Sequence, residues 1–317
     1  MRNIYPLTAD NVERAAQELC DGALVAFPTE TVYGLGADAT NDTAVAKIFD
    51  AKNRPAFNPL IIHVPGMDAA RAIADISPRT AKILNQFWPG ALSVILPRTS
   101  GSPVSRLASA GLDTLAIRVP AHDGARALLH AAQTPIAAPS ANSSGQISPT
   151  TAAHVAADLG EKAAMILDDG PCAIGVESTI LDLSRDEASI LRPGGVTLES
   201  IESVLGYAVA RGWMDAKDEH DVPTAPGMLR RHYAPDTPVR LNAVHAKPGE
   251  ALLGFGPTSG AIENLSSSGD LTEAAARLFD CLHRLDDGQF QGIAVVPIPD
   301  HDLGCAINDR LARAAAR

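Results

Sequence analysis

Short apolar runs alternate with amphipathic stretches over roughly the first 200 residues. NVERAAQELCDG reads as a helix that Asp10 or Asn11 can cap and Gly22 can end. ALVAFP then reads as a strand. NDTAVAKIFDAKN reads as a helix with a cap cluster at Asn41–Thr43. PLIIHVP, ALSVILP, TLAIRVP, PIAAPSA, MILDD and STILDLS are strand-like. MDAARAIADI, ARALLHAA and PTTAAHVAADLG are helical, as is SPRTAKILNQFW, with Ser77 as cap and Pro78 at its first position. Strands that are short apolar runs suit a sheet covered by helices on both faces. The pattern predicts an α/β domain over residues 1–206, whose strand order it does not give. Periodicity is lost across 207–235, a proline-rich, charged segment expected to be a linker or lid. Residues 236–317, with EALLGFG, TEAAARLFDCLHRLDD, GIAVVPIP and AINDRLARAAA, predict a smaller C-terminal α/β domain.

Composition narrows the function classes. With 46% hydrophobic and 20% charged residues, the 317-residue chain can bury a real core. A net charge of −11 and 4% aromatic content argue against a surface that coats nucleic acid or stacks bases, although a small basic cleft stays open. The first residues lack an apolar signal core, and no apolar run approaches the roughly 18 residues of a membrane span, so a cytoplasmic protein is expected. The four cysteines are scattered without a C-x-x-C pair, which predicts buried thiols rather than a disulfide framework or a metal site.

Five segments could carry chemistry. In FPTETVYGLGADA the glycines loosely match G-x-G-x-x-A, but the strand ends at Pro28, six residues before Gly34, and the next helix starts near Asp42. That spacing disfavours a dinucleotide fingerprint. The glycines are expected to shape a turn that sets Thr29 to Tyr33 against a cavity, with threonine hydroxyls capping backbone groups. In KNRPAFNPLIIHV, Lys52 and Arg54 either complement a helix C-terminus or meet phosphate oxygens, and His63 lies on an apolar strand. In PIAAPSANSSGQISPT a polar loop runs to Ser148-Pro149, read as N-cap and first helical residue, where an anion could sit. Arg118 interrupts an apolar strand and needs a partner or a cleft. Arg192 ends a strand beside Pro193-Gly194-Gly195, and Arg230, Arg231, His232 and Tyr233 sit together in the linker. Walker, G-x-S-x-G and H-E-x-x-H motifs are absent from the sequence.

FPTETVYGLG, KNRP-x-x-NPL-x-x-HV, LAIRVP, PSANSSGQISPT, ESTILD and ILRPG, in this order, resemble the YrdC family. With APGMLRRHYAP and the small C-terminal unit, the whole chain resembles its two-domain L-threonylcarbamoyladenylate synthases. The resemblance implies a twisted mixed sheet with helices around a large basic cavity, plus a small Rossmann-like α/β domain. It implies a nucleotidyltransferase that joins L-threonine, bicarbonate or CO₂, and ATP, the last carrying Mg²⁺, with release of pyrophosphate. A partner transferase would then modify tRNA to N6-threonylcarbamoyladenosine, so tRNA is met only indirectly and no membrane is involved. Carried over by position, Lys52, Arg54, Ser140 and Asn142 would line the reaction centre. Arg54, Asn58, Thr114, Ala138, Ser140, Ser148, Arg192 and Tyr233 would bind ATP. Thr31, His63, Arg118 and Ser178 would bind L-threonine or its carbamate. No protein-held metal is implied. The competing expectations are an RNA-binding module and a carbamoyl-transfer enzyme.

Overall fold

A computed structural model describes residues 3–214 and 232–316. The first strands and helices are β1 (Ile4–Pro6), α1 (Ala9–Cys20), β2 (Val25–Phe27), β3 (Gly34–Asp38), α2 (Asp42–Lys52) and β4 (Ile61–His63). Then come α3 (Met67–Ile73), α4 (Pro78–Phe87), β5 (Leu92–Pro97), β6 (Thr114–Arg118), α5 (Asp123–Ala132), β7 (Ile136–Ala137) and α6 (Ala152–Asp158). The first unit closes with β8 (Met165–Asp168), β9 (Thr179–Asp182), β10 (Ser189–Arg192), α7 (Leu198–Leu205) and β11 (Ala210–Arg211). Its strands form one 11-stranded mixed sheet in the order β1-β8-β2-β3-β7-β4-β6-β5-β9-β10-β11. The sheet therefore runs into the segment read from sequence as linker; 215–231, including Arg230 and Arg231, lie outside the described residues. The second unit holds β12 (Val239–Arg240), β13 (Glu250–Gly254), β14 (Glu263–Asn264), α8 (Leu271–Leu285), β15 (Gly292–Val295) and α9 (Leu303–Ala315). Its four strands are all parallel, in the order β12-β15-β13-β14. The α/β class and the second, smaller α/β unit are as the sequence implies.

Local chemistry explains the helix ends that shape the site. The Asn41 side chain accepts from Thr43 N and Ala44 N at the start of α2. At its other end Asn53 turns left-handed, with φ 50°, and Arg54 N donates back to the Phe49 carbonyl at 2.8 Å. That turn aims Lys52 and Arg54 inward. Ser77 caps α4 with Pro78 behind it, as the sequence predicts.

Four expectations fail. Thr8, not Asp10 or Asn11, caps α1, because the helix begins at Ala9. Gly34 and Gly36 lie within β3, antiparallel to β2, so they form a strand and not a turn. A Cβ on Gly36 would come within 2.9 Å of both Phe27 Cε1 and Ile136 Cγ2, so this glycine makes room for the Phe27 ring across the sheet. Antiparallel pairing also excludes the dinucleotide fingerprint, which needs a helix after the glycines. Thr151, not Ser148, caps α6, and Pro149 stays outside the helix because its carbonyl accepts from Tyr33 N at 2.9 Å. Finally, Cys172 and Cys281 are buried thiols, but Cys20 is exposed and Cys305 only half-buried.

Candidate active site

The loop 28–33 between β2 and β3 is buried rather than solvated, so its polar groups need internal partners. Thr29 Oγ1 accepts from Thr31 N and Val32 N and donates to the Val32 carbonyl at 2.7 Å, as a capping hydroxyl should. Tyr33 donates its hydroxyl to the Gly170 carbonyl at 2.8 Å. Thr31 Oγ1, 2.8 Å from Thr29 Oγ1, accepts from Arg118 Nη1 at 2.8 Å. β4 and β6 pair in parallel with His63 opposite Arg118, which places both beside this loop.

The opposite side is built from β9 and β10. A Cβ on Gly194 would lie 2.3 Å from the Glu177 carbonyl oxygen, so only glycine allows this approach. Arg192 donates through Nε and Nη2 to the Ser178 carbonyl, at 3.2 and 2.8 Å, and through Nη2 to Ser178 Oγ. Ser178 Oγ also meets Ser93 Oγ at 2.8 Å.

Between these sides lies a cleft. Thr31, His63, Arg118 and Ser178 line it, and so do Arg54, Ala138, Ser140, Arg192 and Tyr233. The remaining predicted residues stand behind or away from it. Lys52 Nζ donates to the Ser140 carbonyl at 2.6 Å and to that of Asn142. Asn142 Nδ2 donates to the Ser143 and Gln146 carbonyls. Asn58 is fully buried with neither side-chain atom hydrogen-bonded. Ser148 donates to Glu177 Oε1 at 2.5 Å. Thr114 is half-buried at the start of β6, the end of the strand away from Arg118.

The electrostatics are uneven. Arg118 Nη2 is 2.7 Å from Glu30 Oε1, and Glu177 pairs with Arg310 at 2.7 Å. Among the described residues, Lys52, Arg54 and Arg192 donate only to carbonyl or hydroxyl oxygens. Burial, then the neighbouring Arg54, pushes the Lys52 ammonium well below its ordinary value. Burial brings Arg54 down to about 10, and burial with Arg118 brings His63 down to about 3, so His63 is neutral. His232 and Tyr233 close the cleft; His232 Nδ1 and Tyr233 Oη are buried without a hydrogen-bond partner.

The sequence reasoning missed Glu30, Glu177 and His232. The signal for Glu30 was Arg118 itself, whose place in an apolar strand demanded a counter-charge. His232 stands beside Tyr233 in the sequence, with no local signal that marks it for a role.

Comparison with known proteins places this arrangement. A Sua5/YciO/YrdC family model, described as "Telomere recombination", matches residues 17–194. A second, "Threonylcarbamoyl-AMP synthase, C-terminal domain", matches residues 196–316. The Bacillus subtilis (strain 168) threonylcarbamoyl-AMP synthase is 40% identical, covering 96% of this chain and 92% of its own length. The chain belongs to the threonylcarbamoyl-AMP synthase family. A threonylcarbamoyl-AMP synthase of Pyrococcus abyssi (strain GE5 / Orsay) is 41% identical over 95% of this chain and 93% of its own. The crystal structure of P. abyssi Sua5 complexed with L-threonine superposes with a TM-score of 0.90, at 38% identity, covering 99% of this chain and 96% of that one. Membership of the threonylcarbamoyl-AMP synthase family makes this chain a nucleotidyl-transferring enzyme. No described helix is long and apolar enough to cross a membrane.

Proposed function

We propose that the cleft joins L-threonine, bicarbonate or CO₂, and ATP into L-threonylcarbamoyladenylate and pyrophosphate, for a partner transferase that forms N6-threonylcarbamoyladenosine on tRNA. The observation that carries this reading is the set of buried cations, Lys52, Arg54 and Arg192, that lack carboxylate partners among the described residues. Buried charge without a counter-ion is costly, and a polyphosphate supplies what is missing. The complex of the P. abyssi relative with L-threonine supports the second substrate.

In this reading Arg118, Thr31 and Ser178 hold the threonine carboxylate and hydroxyl. The neutral His63 contributes a hydrogen bond and no charge. The neutral amine attacks CO₂ and gives up a proton to water, leaving the carbamate. A carbamate oxygen then displaces pyrophosphate from the α-phosphorus, forming the mixed anhydride. Arg54 and Arg192, with Ser140, orient the phosphates and offset their charge in transit, while Lys52, behind the cleft, holds the Ser140 and Asn142 carbonyls and adds positive charge. Asn142 braces Lys52 through its carbonyl. The Tyr233 hydroxyl and the Ala138 backbone complete the nucleotide contacts, and Asn58, outside the lining, would offer its unsatisfied amide only beyond this cleft. Ser148 acts from behind, through Glu177, and Thr114 would reach the nucleotide only beyond this cleft. Glu30 and Glu177 are engaged by arginines, so Mg²⁺ would ride on the nucleotide's phosphates and neutralise them. The segment carrying His232 and Tyr233 acts as a lid that keeps water from the carbamate and the anhydride.

Incubating the protein with ATP, L-threonine, bicarbonate and Mg²⁺ should release pyrophosphate only when threonine is present. Pyrophosphate release indifferent to threonine sinks the reading. Tight, salt-sensitive RNA binding without turnover would point to an RNA-binding module instead.

A further inference from the structure

Arg310 belongs to α9 of the second unit, yet its side chain is fully buried against the cleft of the first. Nε donates to Glu177 Oε2 at 2.7 Å, Nη2 to the Pro193 carbonyl at 2.9 Å and Nη1 to Asp309 Oδ2 at 2.6 Å. The guanidinium carbon lies 5.0 Å from the centroid of the Tyr233 ring. Three of these contacts bear on the cleft: Glu177 and Tyr233 line it, and Pro193 borders it. Glu177 precedes Ser178 and holds Ser148 through its other oxygen. Pro193 follows Arg192. Tyr233 belongs to the segment that closes the cleft.

We propose that Arg310 is a positioning residue for the reaction: one side chain of the second unit fixes Tyr233, Glu177 and the Arg192–Pro193 corner against one another. The inference rests on the nucleotide reading of the cleft. Arg310 does not itself line the cleft, so it acts through the groups it holds. A buried ion pair is at best a modest stabiliser beside an apolar contact of the same volume, so holding two units together does not call for one. What an arginine adds is a rigid planar fork with five donors and a flat face. A lysine could still pair with Glu177. It could not also bond the Pro193 carbonyl and hold a guanidinium over the Tyr233 ring. The second unit thereby sets the affinity for nucleotide from outside the site.

The test compares the full chain with Arg310→Lys and with Glu177→Gln/Arg310→Gln, which removes both members of the Glu177–Arg310 pair, leaves Asp309 paired with Arg313 and keeps an acceptor for Ser148. ATP affinity is read by calorimetry, the KM values for ATP and threonine from pyrophosphate release, and stability from urea unfolding. Folded variants should bind ATP about tenfold more weakly or worse, the scale of one lost hydrogen bond to a charged group, and the ATP KM should rise with it. Arg310→Lys should retain more affinity than the double variant. ATP affinity and KM within about twofold of wild type, with loss confined to the unfolding midpoint, would show a purely structural residue and overturn the proposal. Weakened ATP binding in the variants would uphold it even if the wild-type chain released no threonine-dependent pyrophosphate, an outcome that would sink the functional reading alone.

Discussion

Arg118 stands between Glu30 and Thr31: its Nη2 is 2.7 Å from Glu30 Oε1, and its Nη1 donates to Thr31 Oγ1 at 2.8 Å. The carboxylate fixes the guanidinium's place while the hydroxyl fixes its rotation. Burial raises the Glu30 carboxyl's pKa, but the charge and hydrogen bond of Arg118, together with backbone hydrogen bonds, outweigh that and hold it below its ordinary value. Thr31→Val keeps the shape and removes the acceptor. The threonine KM should then rise about tenfold, with the ATP KM changed less than about twofold. Equal effects on both constants would mean that the loop only supports the fold.

Lys52 carries a separate prediction about protons. Burial first, and then Arg54, depress its pKa; His232 is depressed by burial and then by Arg54, Lys52, Arg192 and Arg310. A bound polyphosphate reverses the repulsive part of both shifts, so both groups gain affinity for protons. ATP binding should therefore take up protons, seen as a dependence of the binding enthalpy on the buffer's ionisation enthalpy. Proton release would contradict the assignment of Lys52 and His232 to the nucleotide side. Lys52→Ala should lower threonine-dependent pyrophosphate release by about a hundredfold or more.

The sequence was informative where structure is local. Asn41 and Ser77 cap their helices as read, because a cap is decided within four residues. It misled where distant packing decides. Ser148 and Thr151 are both good caps, and the choice falls to Thr151 because Pro149 is drawn to Tyr33. Gly36 looks like a turn residue until the Phe27 ring is seen lying across it. Most of the predicted site residues line one cleft, since strand ends and polar loops were visible as such. Their counter-charges were not. Glu177 and Arg310 are 133 positions apart, and no periodicity links them.

Tyr233 has a left-handed backbone, with φ 61°, and a buried hydroxyl with no hydrogen-bond partner. Burial pushes its phenol pKa up, so the hydroxyl remains a neutral donor. An unpaired buried hydroxyl costs stability until a ligand meets it. Tyr233→Phe should therefore leave the free protein as stable as wild type, or more stable by about 1 kcal/mol. ATP binding should weaken at the same time. A variant that loses stability while keeping its ATP affinity would show that the hydroxyl serves the fold.

The two units also meet at a pair of histidines whose chemistry sets an acid limit. His154 on α6 and His283 on α8 stack with centroids 3.9 Å apart. Thr150 N donates to His154 Nδ1 at 3.3 Å, and His283 Nε2 donates to the Ser148 carbonyl at 3.2 Å. His154 Nε2 faces Asp280 at 3.7 Å; Arg284 bears on His154, and Asp158 and Asp286 on His283. Burial, then His283, lowers His154 to about 4, and burial lowers His283 despite those carboxylates. Both rings are therefore neutral when folded, and the unfolded chain binds protons more readily. Their contribution is complete above the unfolded value of about 6.5 and is lost as pH falls toward 4. Urea unfolding across that window should show stability falling, by about 1–2 kcal/mol after allowance for partial exposure. His154→Gln/His283→Gln should reduce that slope between pH 6.5 and 4, leaving in place the share of the buried, neutral His63 and His232 and, at lower pH, that of the paired carboxylates Glu30 and Glu177. An unchanged slope would place the protons elsewhere.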